Sequence, residues 1–311
     1  MRRQSLLLVG PQQLRWVDEI LPDPQPHEIA VRTLAGAISV GTELPLYRGS
    51  HRGAHPISYP KMTGYESYAE IISCGTAVEQ LKAGDRVVAT YGHRTHAVLA
   101  ADRAIPVPNT IPAPLALLAI LGCDTLKGIV KLAIPPDAEV LITGAGTIGL
   151  LTIFNLVAQN MQPVDLIEPI AQRRELALQL GARSAVAPQA AATLHQKYAV
   201  ALECSSRDAA FALLQAHLRH AGRLCILADG NLEPLTLLPA FHEKELQILG
   251  SSDGEDYRGY AQWFWPHAQA AAQELAQLYE LTIPATNLAQ TFAAIAASDQ
   301  PPIKVLVEYE L

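Results

Sequence analysis

Short apolar runs recur along the first third of the chain, at residues 5–9, 28–33, 67–73, 86–90 and 96–99. Turn signals separate them: Gly10-Pro11, the prolines between 22 and 26, Ala83-Gly84-Asp85, and the prolines at 106 and 108. Evenly spaced short strands with few helices predict a small barrel or sandwich over residues 1 to about 110. Two stretches within it, 38–53 and 62–66, read as loops. From Pro112 the period changes. Residues 114–121 and 124–132 read as helices, 140–142 as a buried strand, 150–157 as a helix and 164–167 as a second strand. The alternation continues with a helix at 171–180, strands at 184–187 and 200–204, a helix at 207–220, a strand at 223–228, a short helix at 238–244 and a strand at 246–250. About six apolar strands alternating with helices predict a parallel sheet covered on both faces. An aromatic-rich stretch at 257–265 follows, then helices at 268–278 and 289–297. A lone terminal strand at 303–309 needs a sheet to join, which points back to the first domain.

One stretch carries chemistry as well as pattern. The strand at 140–142 runs into Gly144-Ala145-Gly146-Thr147-Ile148-Gly149, then a helix, then a strand ending on the acid Glu168. Gly144 permits the tight turn, Gly146 lets a pyrophosphate approach the backbone, and Gly149 lets the helix pack on the sheet. The helix start, including Thr147 and Ile148, presents its first N–H groups to phosphate oxygens. Glu168 stands where an acid accepts hydrogen bonds from the adenosine ribose hydroxyls. That carboxylate favours NAD(H) over NADP(H), although Arg173 and Arg174, just beyond it, offer an alternative hold on a 2′-phosphate or on the adenine side.

Composition narrows the classes. With 311 residues, 50% apolar and 17% charged, the chain has material for two domains with large cores. A net charge of −7 argues against nucleic acid and anionic membrane as partners. The N-terminal apolar run is too short for a signal-peptide core, and no apolar stretch reads as long enough to span a membrane. Cys74, Cys123, Cys204 and Cys225 are scattered and form no CxxC pair, which reads as reduced thiols in a cytoplasmic protein.

These motifs carry a resemblance. Gly41-Thr42-Glu43, Gly64-Tyr65-Glu66, Ala83-Gly84-Asp85-Arg86-Val87, the glycine turn and the run from His242 to Ser251 together resemble the medium-chain dehydrogenase/reductase superfamily over nearly the whole chain. The resemblance implies an α/β fold: a β-rich GroES-like N-terminal catalytic domain (residues 1–115, with 260–311 returning to it) and a Rossmann dinucleotide-binding domain (116–259). It implies a crevice beyond the glycine turn facing the loops of Gly41-Thr42-Glu43 and Gly64-Tyr65-Glu66. Zinc members place a cysteine just before the first of these motifs and a histidine inside the second. Here those positions are Val40 and Tyr65. Only Glu66, and Cys123 as a second, remain of a ligand set that needs about three protein groups. The chain therefore reads as zinc-free. More distantly, it resembles a zinc-lacking branch that includes the bacteriochlorophyllide dehydrogenases.

Without a metal, a side chain must manage charge on the substrate oxygen, or the substrate must delocalise it. Thr42 matches the hydroxyl that relays the substrate proton in zinc relatives. Tyr65 stands in the vacated histidine position, where it is either a phenol donor or a packing residue. Glu43 and Glu66 are candidates for proton transfer or for orienting the loops. Tyr47 and Arg48 could line the substrate mouth. His51, His55, His93 and His96 are acid–base candidates by residue type; Asp124 and Lys127 are candidates near the domain junction. The aromatic run at 257–265 is either domain core or the wall of a site for a flat substrate. The reading is a zinc-independent, NAD(H)-dependent oxidoreductase of the alcohol/ketone type acting on a small molecule that is bulky and hydrophobic or conjugated. An NAD(P)H-dependent enone or quinone reductase and a non-catalytic dinucleotide-binding protein are the alternatives. The edge strand near 246–252 invites pairing into a homodimer or tetramer.

Overall fold

The structure, a computed structural model, describes residues 2–50, 56–161, 163–194, 198–228 and 233–309. The chain forms two compact units. One comprises Met1–Ala119, Ala261–Gln269 and Leu278–Leu311; the other comprises Ile120–Tyr260 and Ala270–Gln277.

The first unit opens with a hairpin, β1 (Arg2–Gly10) and β2 (Gln13–Ile20), followed by the long strand β3 (Glu28–Ile38). Then come helix α1 (Val40–Arg48) and strands β4 (Lys61–Met62), β5 (Glu66–Cys74), β6 (Arg86–Ala89), β7 (His96–Ala100) and β8 (Ile105–Val107). β3 is the spine. It pairs antiparallel with β5 and β7, and β5 in turn pairs with β6. The stretch expected as a loop at 38–53 contains α1 instead. Gly41 and Pro45 read as punctuation, but Ser39 caps the helix start in an extended conformation, and Gly49 ends it in the left-handed region at φ +72°.

Helix α2 (Ala113–Leu132) follows as one continuous helix of 20 residues, where the sequence suggested two. Gly122 does not break it. A Cβ there would lie 2.4 Å from the Tyr260 hydroxyl, so glycine serves close packing. By length and composition α2 could cross a membrane, contrary to the sequence expectation, yet 67% of its apolar window is buried inside the protein.

The second unit alternates strand and helix except between β11 and β12, where the described residues form a 3-10 turn: β9 (Val140–Thr143), α3 (Thr147–Ala158), β10 (Val164–Ile167), α4 (Ala171–Gln179), β11 (Ser184–Val186), β12 (Tyr198–Glu203), α5 (Asp208–His217), β13 (Leu218–Ile226), α6 (Pro239–Glu243) and β14 (Gln247–Gly250). The helix expected over 207–220 stops at His217, and residues 218–222 belong to β13. All pairings are parallel, in the order β11-β10-β9-β12-β13-β14. Renumbered from β9, this is 3-2-1-4-5-6, the doubly wound arrangement whose strand order reverses beside its first strand. All four residues of β9 are buried.

The chain closes with α7 (Tyr257–Ala270), α8 (Ala272–Ala276), β15 (Tyr279–Pro284), α9 (Leu288–Ala297) and β16 (Lys304–Glu308). The aromatic run is the first half of α7. Its buried residues Tyr260, Ala261, Phe264, Trp265 and Ala268 recur at helical spacing, which marks a core face rather than an open wall. β16 pairs antiparallel with β3 and parallel with β15, so the terminal strand completes the sheet of the first unit.

Candidate active site

In the second unit, the turn after β9 is built from backbone. Gly144 has φ +87°, and a Cβ on it would meet Ser205 and the Cys204 carbonyl group at about 3 Å. A Cβ on Gly149 would lie 1.9 Å from the Gly144 carbonyl oxygen, so only glycine lets α3 start this close to the strand. Gly146 is different. Nothing lies within 4 Å of where its Cβ would be. The protein itself does not need a glycine there; the open space is what a phosphate group approaching the backbone requires. The N–H groups of Thr147, Ile148 and Gly149 precede the first intrahelical donor, Leu150. The cradle therefore fits a dinucleotide.

Glu168 is placed otherwise than expected. Its carboxylate is 4% exposed, accepting from the Ala145 N–H at 2.7 Å and from the Ile170 N–H at 2.9 Å. The acid turns inward and holds the glycine turn, rather than reaching outward for ribose. Arg174 donates to the Glu168 and Pro169 carbonyls, fixing the same corner, while Arg173 is half-buried on α4. Glu203 mirrors Glu168 at the end of β12. It accepts from the N–H groups of Ser205 and Ser206, and burial raises its pKa against those bonds. Sequence reading missed Glu203, because an acid two residues before a loop carries no spacing signal.

Asp124 and Lys127 serve the loop after β14. Asp124 accepts from the Gly254 N–H and the Tyr257 hydroxyl, both at 2.7 Å, and Lys127 donates to the Asp253 carbonyl. The Cys123 thiol is pushed up to about 12 by burial and by Asp124, the reverse of what a metal-binding thiolate needs.

In the first unit, side chains make the site. The Tyr65 hydroxyl donates to Ser39 Oγ at 2.5 Å. Burial and the neighbouring Glu66 carboxylate hold the phenol pKa well above its ordinary value, and the hydroxyls of Ser39 and Thr42 counter this in part. Glu43 is nearly fully buried. Its Oε1 accepts from the Ser39 N–H at 2.8 Å; its Oε2 accepts from the Gly64 N–H at 2.8 Å and lies 3.1 Å from His93 Nε2. Gly64 sits at φ +75°, with the His93 ring 2.7 Å from where a Cβ would be. Glu43 is thus a bracket between α1, the Gly64 turn and His93, which orients the loops.

Glu66 is also redirected from the proton-transfer role. Its Oε1 accepts from Lys304 Nζ at 2.5 Å, and both side chains are 0% exposed. This ion pair ties β5 to β16 through the interior. Zinc does not fit the residues present. Val40 is buried and apolar, Tyr65 bonds Ser39, Glu66 is committed to Lys304, and no group of three His, Cys, Asp or Glu among the described residues is placed for a metal.

A cleft of about 210 Å³ opens beside this cluster. Leu8, Leu46, Tyr47, Met62 and Phe292 make it apolar, and Gly64 and Tyr65 form part of its wall. Tyr47 packs against Phe292 with ring centroids 5.4 Å apart, while Arg48 points away to the Ala296 carbonyl. His96 is half-buried beside Thr95, its pKa lowered by burial and by Arg32. His51 and His55 lie outside the described residues.

Residues 25–109 match the family described as the alcohol dehydrogenase GroES-like domain. Across 99% of both chains, the protein is 27% identical to 2-desacetyl-2-hydroxyethyl bacteriochlorophyllide A dehydrogenase of Cereibacter sphaeroides. Two solved structures share its fold across 99% of both chains. One is a Sinorhizobium meliloti protein described as a zinc-binding dehydrogenase, bound to NADP, with a TM-score of 0.83 at 20% identity. The other is an alcohol dehydrogenase of Escherichia coli complexed with NADH, with a TM-score of 0.81 at 19% identity. With a GroES-like domain, a doubly wound sheet in the order 3-2-1-4-5-6 and dehydrogenase relatives along its whole length, the chain belongs to the medium-chain dehydrogenase/reductase superfamily and is an oxidoreductase of the alcohol dehydrogenase type.

Proposed function

We propose that this oxidoreductase interconverts an alcohol and a ketone with NAD(H) and without zinc, on a substrate that is largely apolar or conjugated. The observation that carries the reading is the hydroxyl cluster of Tyr65, Ser39 and Thr42, in which Tyr65 occupies the position that the family resemblance gives to a zinc-binding histidine. A bound nicotinamide supplies or accepts the hydride. The glycine turn and the first N–H groups of α3 hold the phosphates, and Gly146 provides the room. An acid at this strand tip, Glu168, is what favours NAD(H) over NADP(H), although its carboxylate here braces the turn through the Ala145 N–H.

Tyr65 supplies the proton. Its neutral phenol is a hydrogen-bond donor that polarises the carbonyl and gives up its proton as charge develops on oxygen, the part zinc plays elsewhere as a Lewis acid. The apolar cleft beside it accepts the hydrocarbon part of the substrate. β14 lies at the edge of its sheet, where a second copy could pair with it, which supports a dimer.

One experiment tests the core of this reading. Protein dialysed against a strong chelator is assayed for metal content, titrated with NADH and NADPH, and offered ketones, enones and quinones. The expected result is metal-independent ketone turnover with tighter binding of NADH. Stoichiometric zinc whose removal abolishes turnover would overturn it, as would reduction confined to C=C bonds or quinones.

A further inference from the structure

Ser39 accepts the hydrogen bond of the Tyr65 hydroxyl on its Oγ at 2.5 Å. It is buried, in an extended conformation with φ −88° and ψ 91°, at the junction where β3 ends and α1 begins. Its side chain makes no capping bond to the helix. The hydroxyl is therefore not spent on holding α1, and its geometry has another purpose.

That geometry is over-determined. Tyr65 and Ser39 are 26 residues apart, and one carboxylate fixes both. Glu43 Oε1 takes the Ser39 N–H and Glu43 Oε2 takes the N–H of Gly64, the residue before Tyr65. His93 packs on Gly64 and holds the same Oε2 from the other side. Both ends of the Tyr65–Ser39 bond thus hang from one buried anchor. The charged and polar groups facing the phenol are Glu66, itself paired with Lys304, then Glu43, and the hydroxyls of Ser39 and Thr42.

We propose that Ser39 is a positioning residue for Tyr65, anchoring the phenol oxygen, donating its own hydroxyl hydrogen to that oxygen once the phenol proton has turned to the substrate, and returning a proton to it after turnover. The inference rests on the zinc-free reading above. In ketone reduction a hydride from the reduced nicotinamide adds to the carbonyl carbon and the C=O π pair moves onto oxygen. The Tyr65 O–H bond breaks, an alcohol O–H bond forms, and a phenolate remains. Ser39 accepts the single phenol O–H at rest, so when a carbonyl binds that O–H turns to the carbonyl oxygen and the Ser39 O–H turns to donate to the phenol oxygen. That Ser39 O–H then stabilises the phenolate as it forms. Passing this proton on and taking another from water, directly or relayed by the Thr42 hydroxyl, restores the starting state. The net change is one hydride and one proton delivered.

The test uses the full chain with Ser39→Ala, Ser39→Thr and Tyr65→Phe, read by steady-state kinetics with a ketone and reduced nicotinamide. General acid catalysis contributes on the order of a hundredfold or more. Tyr65→Phe should therefore lower kcat by about that factor, and Ser39→Ala by about tenfold with KM changed less than about twofold. Ser39→Thr, which keeps the hydroxyl on a backbone already extended, should restore most of kcat. A second readout needs no turnover: the 19F resonance of 3-fluorotyrosine installed at position 65. Ser39→Ala should move it and Ser39→Thr should leave it near its original place. An unchanged resonance with unchanged kcat in Ser39→Ala overturns the inference, as does a rise in KM at constant kcat. If the resonance responds to Ser39→Ala but no ketone is turned over even by the unaltered chain, the ketone reading fails while the positioning of Tyr65 by Ser39 stands.

Discussion

The glycine turn of the second unit and the hydroxyl cluster of the first solve different problems with different materials. The turn is backbone throughout. Gly144, Gly146 and Gly149 lie within six residues, and what matters at each is the absence of a side chain. The hydroxyl cluster depends on side chains, at least one in every bond. Its bonds join residues 26 apart (Tyr65 to Ser39), 21 apart (Gly64 to Glu43), 50 apart (His93 to Glu43) and 238 apart (Lys304 to Glu66). A phosphate cradle recognises a shape common to every dinucleotide, so local backbone geometry suffices. A proton donor must be aimed at one atom, so it is set from several directions by groups that meet only after folding.

That contrast makes the first unit vulnerable through its anchors. Lys304→Met should produce the largest loss of stability. It leaves the Glu66 carboxylate buried with its charge uncompensated, which costs about 3–5 kcal/mol. Adding Glu66→Gln to Lys304→Met should return a good part of the loss by removing the stranded charge. Denaturant unfolding measures both. A Lys304→Met protein as stable as the original would mean the interior is wet enough to solvate Glu66.

The second unit should split where the first does not. Gly149→Ala puts a Cβ 1.9 Å from a backbone carbonyl, so α3 must shift, at a cost of about 3 kcal/mol. Gly146→Ala has open space and an ordinary φ of −78°, so stability should change by less than about 1 kcal/mol. Dinucleotide affinity should nevertheless fall by about tenfold or more, since the methyl enters the space meant for phosphate. Unfolding curves and NADH titration of the two variants separate packing glycine from binding glycine. Equal behaviour of the pair would erase the distinction.

The same division explains what could be read in advance. The strand, glycine turn, helix and second strand between Val140 and Ile167 were legible, because each requirement is local and the period changes sharply at Pro112. β2 and β15 were not, because β2 alternates between half-buried and exposed residues, β15 lies at a sheet edge, and neither carries an apolar run. Helix α1 was hidden behind Gly41 and Pro45. Residue type marked Glu43 and Glu66 as chemically interesting, but their partners His93 and Lys304 decide what they do, and no spacing announces a partner 50 or 238 residues away. Even Glu168, whose position was legible, turned its carboxylate inward to Ala145 for a reason that lies in three dimensions.

The smallest effect is expected from pH on carbonyl reduction. The Tyr65 pKa is raised well above its ordinary value by burial and by Glu66, and the Ser39 and Thr42 hydroxyls offset this only in part. An acid with a raised pKa keeps its proton across the neutral range. Reduction needs the protonated form, so its rate at saturating substrate should vary less than about twofold between about pH 6 and about pH 8. Oxidation needs the phenolate, so its rate should climb with pH over the same interval, by approaching tenfold per unit. The asymmetry belongs to a phenol donor. A histidine donor titrating near 6.5 would instead lower reduction through this window as it lost its proton. Rate profiles in both directions, for the original chain and for Tyr65→Phe, decide between the two. A flat reduction limb that survives Tyr65→Phe with its rate intact would place the proton donor outside the hydroxyl cluster, and would turn the side-chain half of the comparison into packing.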